Sequence, residues 1–383
     1  MRAALTTALL FACNADPAAL PLPQAPPIAQ CTAGIAAVVG GVGYATIQDA
    51  INASTSPATI EVCPGTWAEH LVLPAGTWEL TGLVSGSITP TIDGTANGRV
   101  IDASAASVVT LRSLHLTNGQ SGWGAGLYMN SGSLNVIGCT FTENTGSNGA
   151  GLYTTGTDVE IEASTFDSNS GTDPEGCGGA AAIYASSGED VSVTIKNSIF
   201  ATNTAAETGG GLCAMTVLGG VLDLLILDTT FKYNDANVGG GLTLWTYGGT
   251  LTSHTESSLF YQNEGGATYM FTESGAGACD MEPDFIYTDF IENHGGNGPA
   301  ITAYEFCGAL DARVGYGSIL NNVAVAPNTS AVEVAIGATL LVADMDMGTG
   351  ATDNTPMDFY NCAGSYGAGT TGMIRSGIGD WCP

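Results

Sequence analysis

A six-residue phrase recurs through this chain: a small residue, any residue, Phe, two residues, Asn. It reads Cys139-Thr-Phe141-Thr-Glu-Asn144 and returns with the pairs Phe166 and Asn169, Phe200 and Asn203, and Phe231 and Asn234. Phe260 with Asn263 and Phe290 with Asn293 follow, and a worn copy, Gly317-Ser-Ile319-Leu-Asn-Asn322, closes the series. The spacings from Phe to Phe, and then to Ile319, are 25, 34, 31, 29, 30 and 29 residues. Self-similarity at such a period is the mark of a solenoid, in which each unit contacts only its neighbours.

Counting back from each Phe, positions minus five and minus seven are apolar, as in Val136 and Leu134, Ile161 and Val159, and Ile195 and Val193. The position between them is mostly polar: Asn135, Glu160, Thr194, His254 and Asp284, with Leu225 as the break. That alternation predicts a strand with one face buried. Position minus two is always small, which suits a bend over the core. After each Asn comes a glycine-rich turn and a second short strand, as in Gly124-Ala-Gly-Leu127-Tyr128 and Gly149-Ala-Gly-Leu152-Tyr153. Gly178 to Tyr184, Gly209-Gly-Gly-Leu212 and Gly239-Gly-Gly-Leu242 repeat it. Glycine permits the left-handed corners such a turn needs.

Parallel stacking would bury these faces. Phe would lie on Phe, Asn on Asn, and Leu127, Leu152, Ile183, Leu212 and Leu242 would form an aliphatic ladder. The pairing of Phe-x-x-Asn with Gly-Gly-aliphatic resembles the repeats of polymorphic outer-membrane proteins. More broadly it resembles the pectin-lyase-like right-handed parallel β-helix, over roughly residues 44–345. The run Tyr44-x-Thr46-Ile47-x-x-Ala50-Ile51, followed by Ile60-x-Val62-x-Pro64-Gly65-Thr66, looks like the opening of many such chains. The resemblance implies an all-β solenoid whose open end is plugged by a short helix. Thr46 is placed to cap that helix, with Asp49 in a capping-box-like position.

Four segments follow: a signal peptide at 1–12, a Pro- and Ala-rich tether at 13–40, a β-helix at 41–345, and a C-terminal cap at 346–383. Leu10-Phe-Ala-Cys13 resembles a bacterial lipobox, which implies cleavage before Cys13 and lipidation of its thiol. A simple secretory signal, or a misplaced start, is the alternative. No other segment approaches the ~20 apolar residues of a membrane span.

The chain carries ten cysteines and a formal charge of −29 with seven Lys and Arg. Cysteine usage points to an oxidising compartment. The charge argues against nucleic acid and anionic membranes as partners. Cys139 occupies the small inward position and is expected to be a buried free thiol. Cys177 and Cys213 lie eleven and thirteen residues after their Phe, on adjacent coils, and Cys279 and Cys307 lie nineteen and seventeen after theirs. Both pairs are candidates for bridges, with Cys31–Cys63 and Cys362–Cys382 stapling the ends.

Signs of catalysis are sparse. The enzyme alternative is a polysaccharide lyase or glycoside hydrolase acting on an acidic polysaccharide through early-coil residues such as Asp93, Arg99, Asp102 and Arg112. Arg112 and Lys196 share an outward position, but roughly 14 Å apart at ~4.8 Å per coil. The four histidines fall in different registers. Asp344, Asp346, Asp353 and Asp358 crowd one loop, so calcium is the one cofactor to consider, against a plain solvated acidic loop. Tyr128, Tyr153 and Tyr184 follow the aliphatic ladder on three successive coils and point outward. Such a row suits stacking on sugars, against simple cross-coil pairing. The expected protein is lipid-anchored at the outer membrane or secreted. Its expected role is non-enzymatic: adhesion, glycan or envelope-protein binding, or a structural place in the envelope.

Overall fold

The computed structural model describes residues 31–275, 279–295, 299–324, 332–335, 338–343 and 359–360. The chain is a parallel β-solenoid. One regular coil contributes three strands: Leu152–Thr155, Thr157–Glu162 and Thr165–Asp167. Each pairs in parallel with its counterpart in the next coil. Where the period lengthens, the first two run on as single strands, Leu212–Leu227 and Leu242–Glu256. The Phe-bearing strands form a ten-stranded sheet, and the other two sets merge into a larger one.

The inner ladders follow the expected pattern. Phe141, Phe166, Phe200, Phe231, Phe260 and Phe290 are fully buried. Successive ring centroids lie 4.6, 4.8, 4.9, 4.8 and 5.2 Å apart, with interplanar angles between 1° and 13°. Offset stacking at this spacing adds roughly 0.5–1.5 kcal/mol per pair beyond burial. Ile319 takes the last place in the column and Leu116 precedes Phe141. Beside the rings, each Asn Nδ2 donates to the next Asn Oδ1 at 2.9–3.0 Å, from Asn144 to Asn322. That same Oδ1 also accepts the backbone N–H of the preceding Asn, for example Asn169 to Asn203 at 3.0 Å. The column ends at Gly119, whose N–H donates to Asn144 Oδ1. Asn118, one place earlier, instead binds Asp93 Oδ1 at 3.1 Å.

The small residue at minus two has a further reason. The bend itself is one residue earlier, at Gly138, Ala163, Asn197, Asp228, Ser257 and Tyr287, all left-handed with φ between 47° and 60°. The minus-two hydroxyl then accepts the N–H of its counterpart one coil before: Cys139 to Ser164 Oγ at 3.1 Å, Ser164 to Ser198 Oγ at 3.2 Å. Left-handed backbone at non-glycine residues is uncommon, and a shared ladder bond holds it in place. The two sequence motifs also meet physically. A Cβ on Gly126 would lie 2.3 Å from Gly151 O and 3.1 Å from the Phe141 ring, so the glycine turn is where the ring edge abuts backbone.

The N-terminal helix spans Ile47–Ala53, with Ile47, Ala50 and Ile51 buried. Thr46 Oγ1 accepts from Asp49 N at 3.0 Å, as expected. Glu69 adds a second cap, accepting from Ile47 N and Gln48 N at 2.8 and 3.0 Å. Ordered chain reaches back past residue 41: Ala37–Val39 pairs antiparallel with Val42–Tyr44 and with Ala58–Val62, and Ala36 and Ala37 lie in the core.

Three disulfides join Cys31–Cys63, Cys177–Cys213 and Cys279–Cys307, with Cα separations of 5.6, 5.6 and 5.9 Å. Cys139 is a buried free thiol, and burial pushes its pKa up to about 12. Cys13, Cys362, Cys382 and the four aspartates Asp344, Asp346, Asp353 and Asp358 lie outside the described residues. Among residues 346–383 only Phe359–Tyr360 is described, a strand pairing with Val332–Ala335.

Candidate functional site: an outward row of aromatic rings

The expected tyrosine row exists, with one correction. Tyr128 pairs directly with Tyr153, but Tyr153 pairs with Ala182, not Tyr184. The place of Leu152 is taken by Ala181, so Ile183 lies outside the aliphatic ladder, and Tyr184 sits two residues further along, opposite Thr155 and Met215. In the Tyr153 column the next two positions are Ala182 and Cys213, the latter locked into the Cys177 disulfide, and a ring returns to that column only at Tyr269.

The rings still touch. Tyr128–Tyr153 centroids are 5.6 Å apart and Tyr153–Tyr184 5.2 Å apart. Trp123, from the neighbouring corner and 51% exposed, stacks on Tyr153 at 5.5 Å with an interplanar angle of 15°. Burial, then Tyr128 and Glu189, pushes the Tyr153 hydroxyl up to about 12. Burial, Tyr153 and Asp173 push Tyr184 up as well. Both hydroxyls therefore stay protonated near neutral pH and serve as neutral donors.

Arg99 holds this shelf together. Its guanidinium carbon lies 4.4 Å from the Tyr128 ring centroid, a cation–π arrangement. Nη1 pairs with Asp102 Oδ2 at 2.5 Å, while Nε and Nη2 donate to the carbonyls of Trp123 and Gly124. Burial raises the Asp102 pKa, but Ser104 and Arg99 outweigh it, and the net direction is down. An arginine so engaged positions Trp123 and is poorly placed to act as a base.

The other early-coil residues do not converge on it. Arg112 Nε pairs with Glu79 Oε1 at 3.0 Å. Asp93 is on the Phe-bearing sheet, where it accepts from Asn118 and Thr95. Arg112 and Lys196 do share a column three coils apart, with Glu162 between them, and Lys196 is bound to Glu160 and Glu162.

Two features escaped the sequence reading. The row continues: Tyr184, Met215, Trp245, Phe271 and Tyr304 align on five successive coils. Their signal was a large apolar residue three places after the ladder residue, visible only once Ala181 is recognised as that residue. The second is an open groove of about 440 Å³ on the adjoining strands, lined in part by Asp223, Thr252, His254, Glu282, Asp284 and Arg313. His254, Asp284 and Arg313 are consecutive in the minus-six column. Arg313 Nε lies 3.2 Å from Asp284 Oδ1, and His254 Nδ1 lies 3.7 Å from Oδ2. Among the described residues no group of three or more His, Cys, Asp or Glu is placed to hold a metal ion.

No protein-family model, curated protein or solved structure matches this chain. What the architecture defines is a class, a disulfide-stapled parallel β-solenoid.

Proposed function

We propose that this is an extracytoplasmic binding protein whose outward aromatic shelf, Trp123, Tyr128, Tyr153 and Tyr184, takes a glycan. The observation that carries the reading is the half-exposed Trp123 stacked on Tyr153 and tied down through its own carbonyl by Arg99. Rings whose faces are offered in a fixed plane stack on the C–H faces of sugars, and neighbouring hydroxyls supply hydrogen bonds. These rings are not part of the inner Phe, Asn and aliphatic ladders. Three disulfides support an oxidising compartment. Placement at the envelope, by lipidation at Cys13 or by secretion, is part of the proposal, and so is a role in adhesion.

The test is affinity electrophoresis or calorimetry of the protein against a panel of soluble polysaccharides. Binding is expected, and Trp123→Ala with Tyr153→Ala is expected to remove it while the melting temperature stays within a few degrees. Binding that survives both changes places the ligand elsewhere. The groove containing Asp223, Glu282 and Asp284 favours a second reading, a polysaccharide-active enzyme. Release of reducing sugar or of unsaturated ends, lost in Asp284→Asn, would establish it.

A further inference from the structure

The shelf does not stop at Tyr184. One column further out, the same face presents Met215, Trp245, Phe271 and Tyr304 on the following coils. The rings again touch: Trp245–Phe271 centroids are 5.7 Å apart, Tyr269–Phe271 5.8 Å, and Phe271–Phe306 5.2 Å. Phe306 is about half exposed, like Trp123 at the other end. From Tyr128 to Tyr304 there are six coil steps, roughly 29 Å at ~4.8 Å per coil. Met215, the one non-aromatic member, bridges the two ring clusters with a polarisable apolar side chain.

Charge narrows the occupant. Arg99, the guanidinium stacked on this row, is already engaged with Asp102, Tyr128 and the corner carbonyls. The groups flanking the rings are acidic. Glu189 and Asp173 act on Tyr153 and Tyr184, and Glu273 follows Phe271 by two residues on the same outward face of its strand. On a chain of net charge −29 this face repels polyanions.

We propose that the whole row is one track for a linear polysaccharide of neutral or amino sugars, lying along the solenoid axis and spanning both ring clusters. This rests on the reading that the face binds glycan, and adds the length, direction and charge of the ligand. A short oligosaccharide would occupy the Trp123 shelf alone. A long one would reach Phe271 and Phe306 as well and gain affinity from the second cluster.

The experiment is calorimetric titration of the full chain with short and long gluco- and chito-oligosaccharides, and with oligogalacturonates of matched length. The long neutral or amino oligomer is expected to bind roughly tenfold more tightly than the short one. Phe271→Ala should abolish that advantage and leave short-oligomer binding unchanged, whereas Tyr153→Ala should weaken both. Phe306→Ala, at a more exposed position, repeats the test with less risk to folding. Length-independent binding that is lost in Tyr153→Ala overturns the track while keeping the shelf. Tighter binding of the galacturonates overturns the charge argument. No binding by any oligomer, together with a dimer in sedimentation that Phe306→Ala dissociates, overturns both readings and makes a second copy the occupant.

Discussion

Two rows of rings run along the middle coils of this solenoid, and they obey different rules. The inner row, Phe141 to Phe290, keeps one column and its planes stay within 13° of parallel. The outer row changes column between Tyr153 and Tyr184, and its contacts range from stacked at 15° to edge-on at 81°. Inside, close packing leaves one solution, because a void or an overlap anywhere is felt by every neighbour. Outside, a ring has solvent on one face and can lean, step or be replaced. Large, mostly aromatic side chains on seven successive coils, none of them part of the inner ladders, are what the proposed binding surface rests on.

The comparison can be broken most directly by truncation. Phe200→Ala should cost roughly 3–5 kcal/mol in chemical denaturation, since its neighbours Phe166 and Phe231 cannot close the gap without shifting whole coils. Tyr153→Ala should cost about 1 kcal/mol or less, the worth of an ordinary cross-strand pair, while weakening ligand binding. If the two changes destabilise equally, the outer row is structural and the distinction fails. Next in size is the disulfide beside the outer row, Cys177–Cys213. Cys177→Ser with Cys213→Ser should lower stability by roughly 2–4 kcal/mol, measured as a drop in melting temperature under non-reducing conditions, where the other two bridges stay closed. Asn203→Ala follows, at roughly 1–3 kcal/mol, because it strands the N–H groups of Asn169 that its Oδ1 accepts. An outward asparagine changed in the same way, such as Asn135, should be nearly silent.

The smallest expected effect is with pH. Burial, with Glu264, raises the Asp235 carboxyl, and burial raises Glu305 despite the Leu310 N–H. A carboxyl whose folded pKa is raised favours the folded state below its unfolded value, and that stability is lost as pH rises through the folded pKa. Asp102 runs the other way: its stabilisation is present above the unfolded value and is lost as pH falls through its lowered pKa. Mild acidification from neutral to about pH 5 should therefore raise the melting temperature slightly, as the net negative charge also falls, and stronger acid should reverse it. A melting temperature that falls steadily from neutral pH would show that the raised carboxyls contribute nothing.

Much of this was legible from the repeats. The Phe and Asn columns, the buried Cys139 and the Cys177–Cys213 and Cys279–Cys307 bridges could be read from spacing, because a stacked coil turns sequence offset into position; the helix at Ile47 was legible from its capping pattern, and Cys31–Cys63 from the cysteines left over. Less of the surface could be read. Tyr184 was assigned to the Tyr153 column because Ile183 looked like the ladder residue, and only the register shows Ala181 there. His254 and Asp284 were both visible at minus six, yet Arg313 joins them only when the worn Ile319 copy is counted in the same frame.

Periodicity alone determined that this chain stacks and what lies inside, since every buried side chain must match its copies above and below. Which outward residues meet was decided by tertiary structure. Coil lengths vary from 25 to 34 residues, and that variation is absorbed at the corners and outer face, where no neighbour enforces a match. Arg99 reaching Trp123, and the row changing column at Tyr184, follow from those local adjustments, which no repeat encodes.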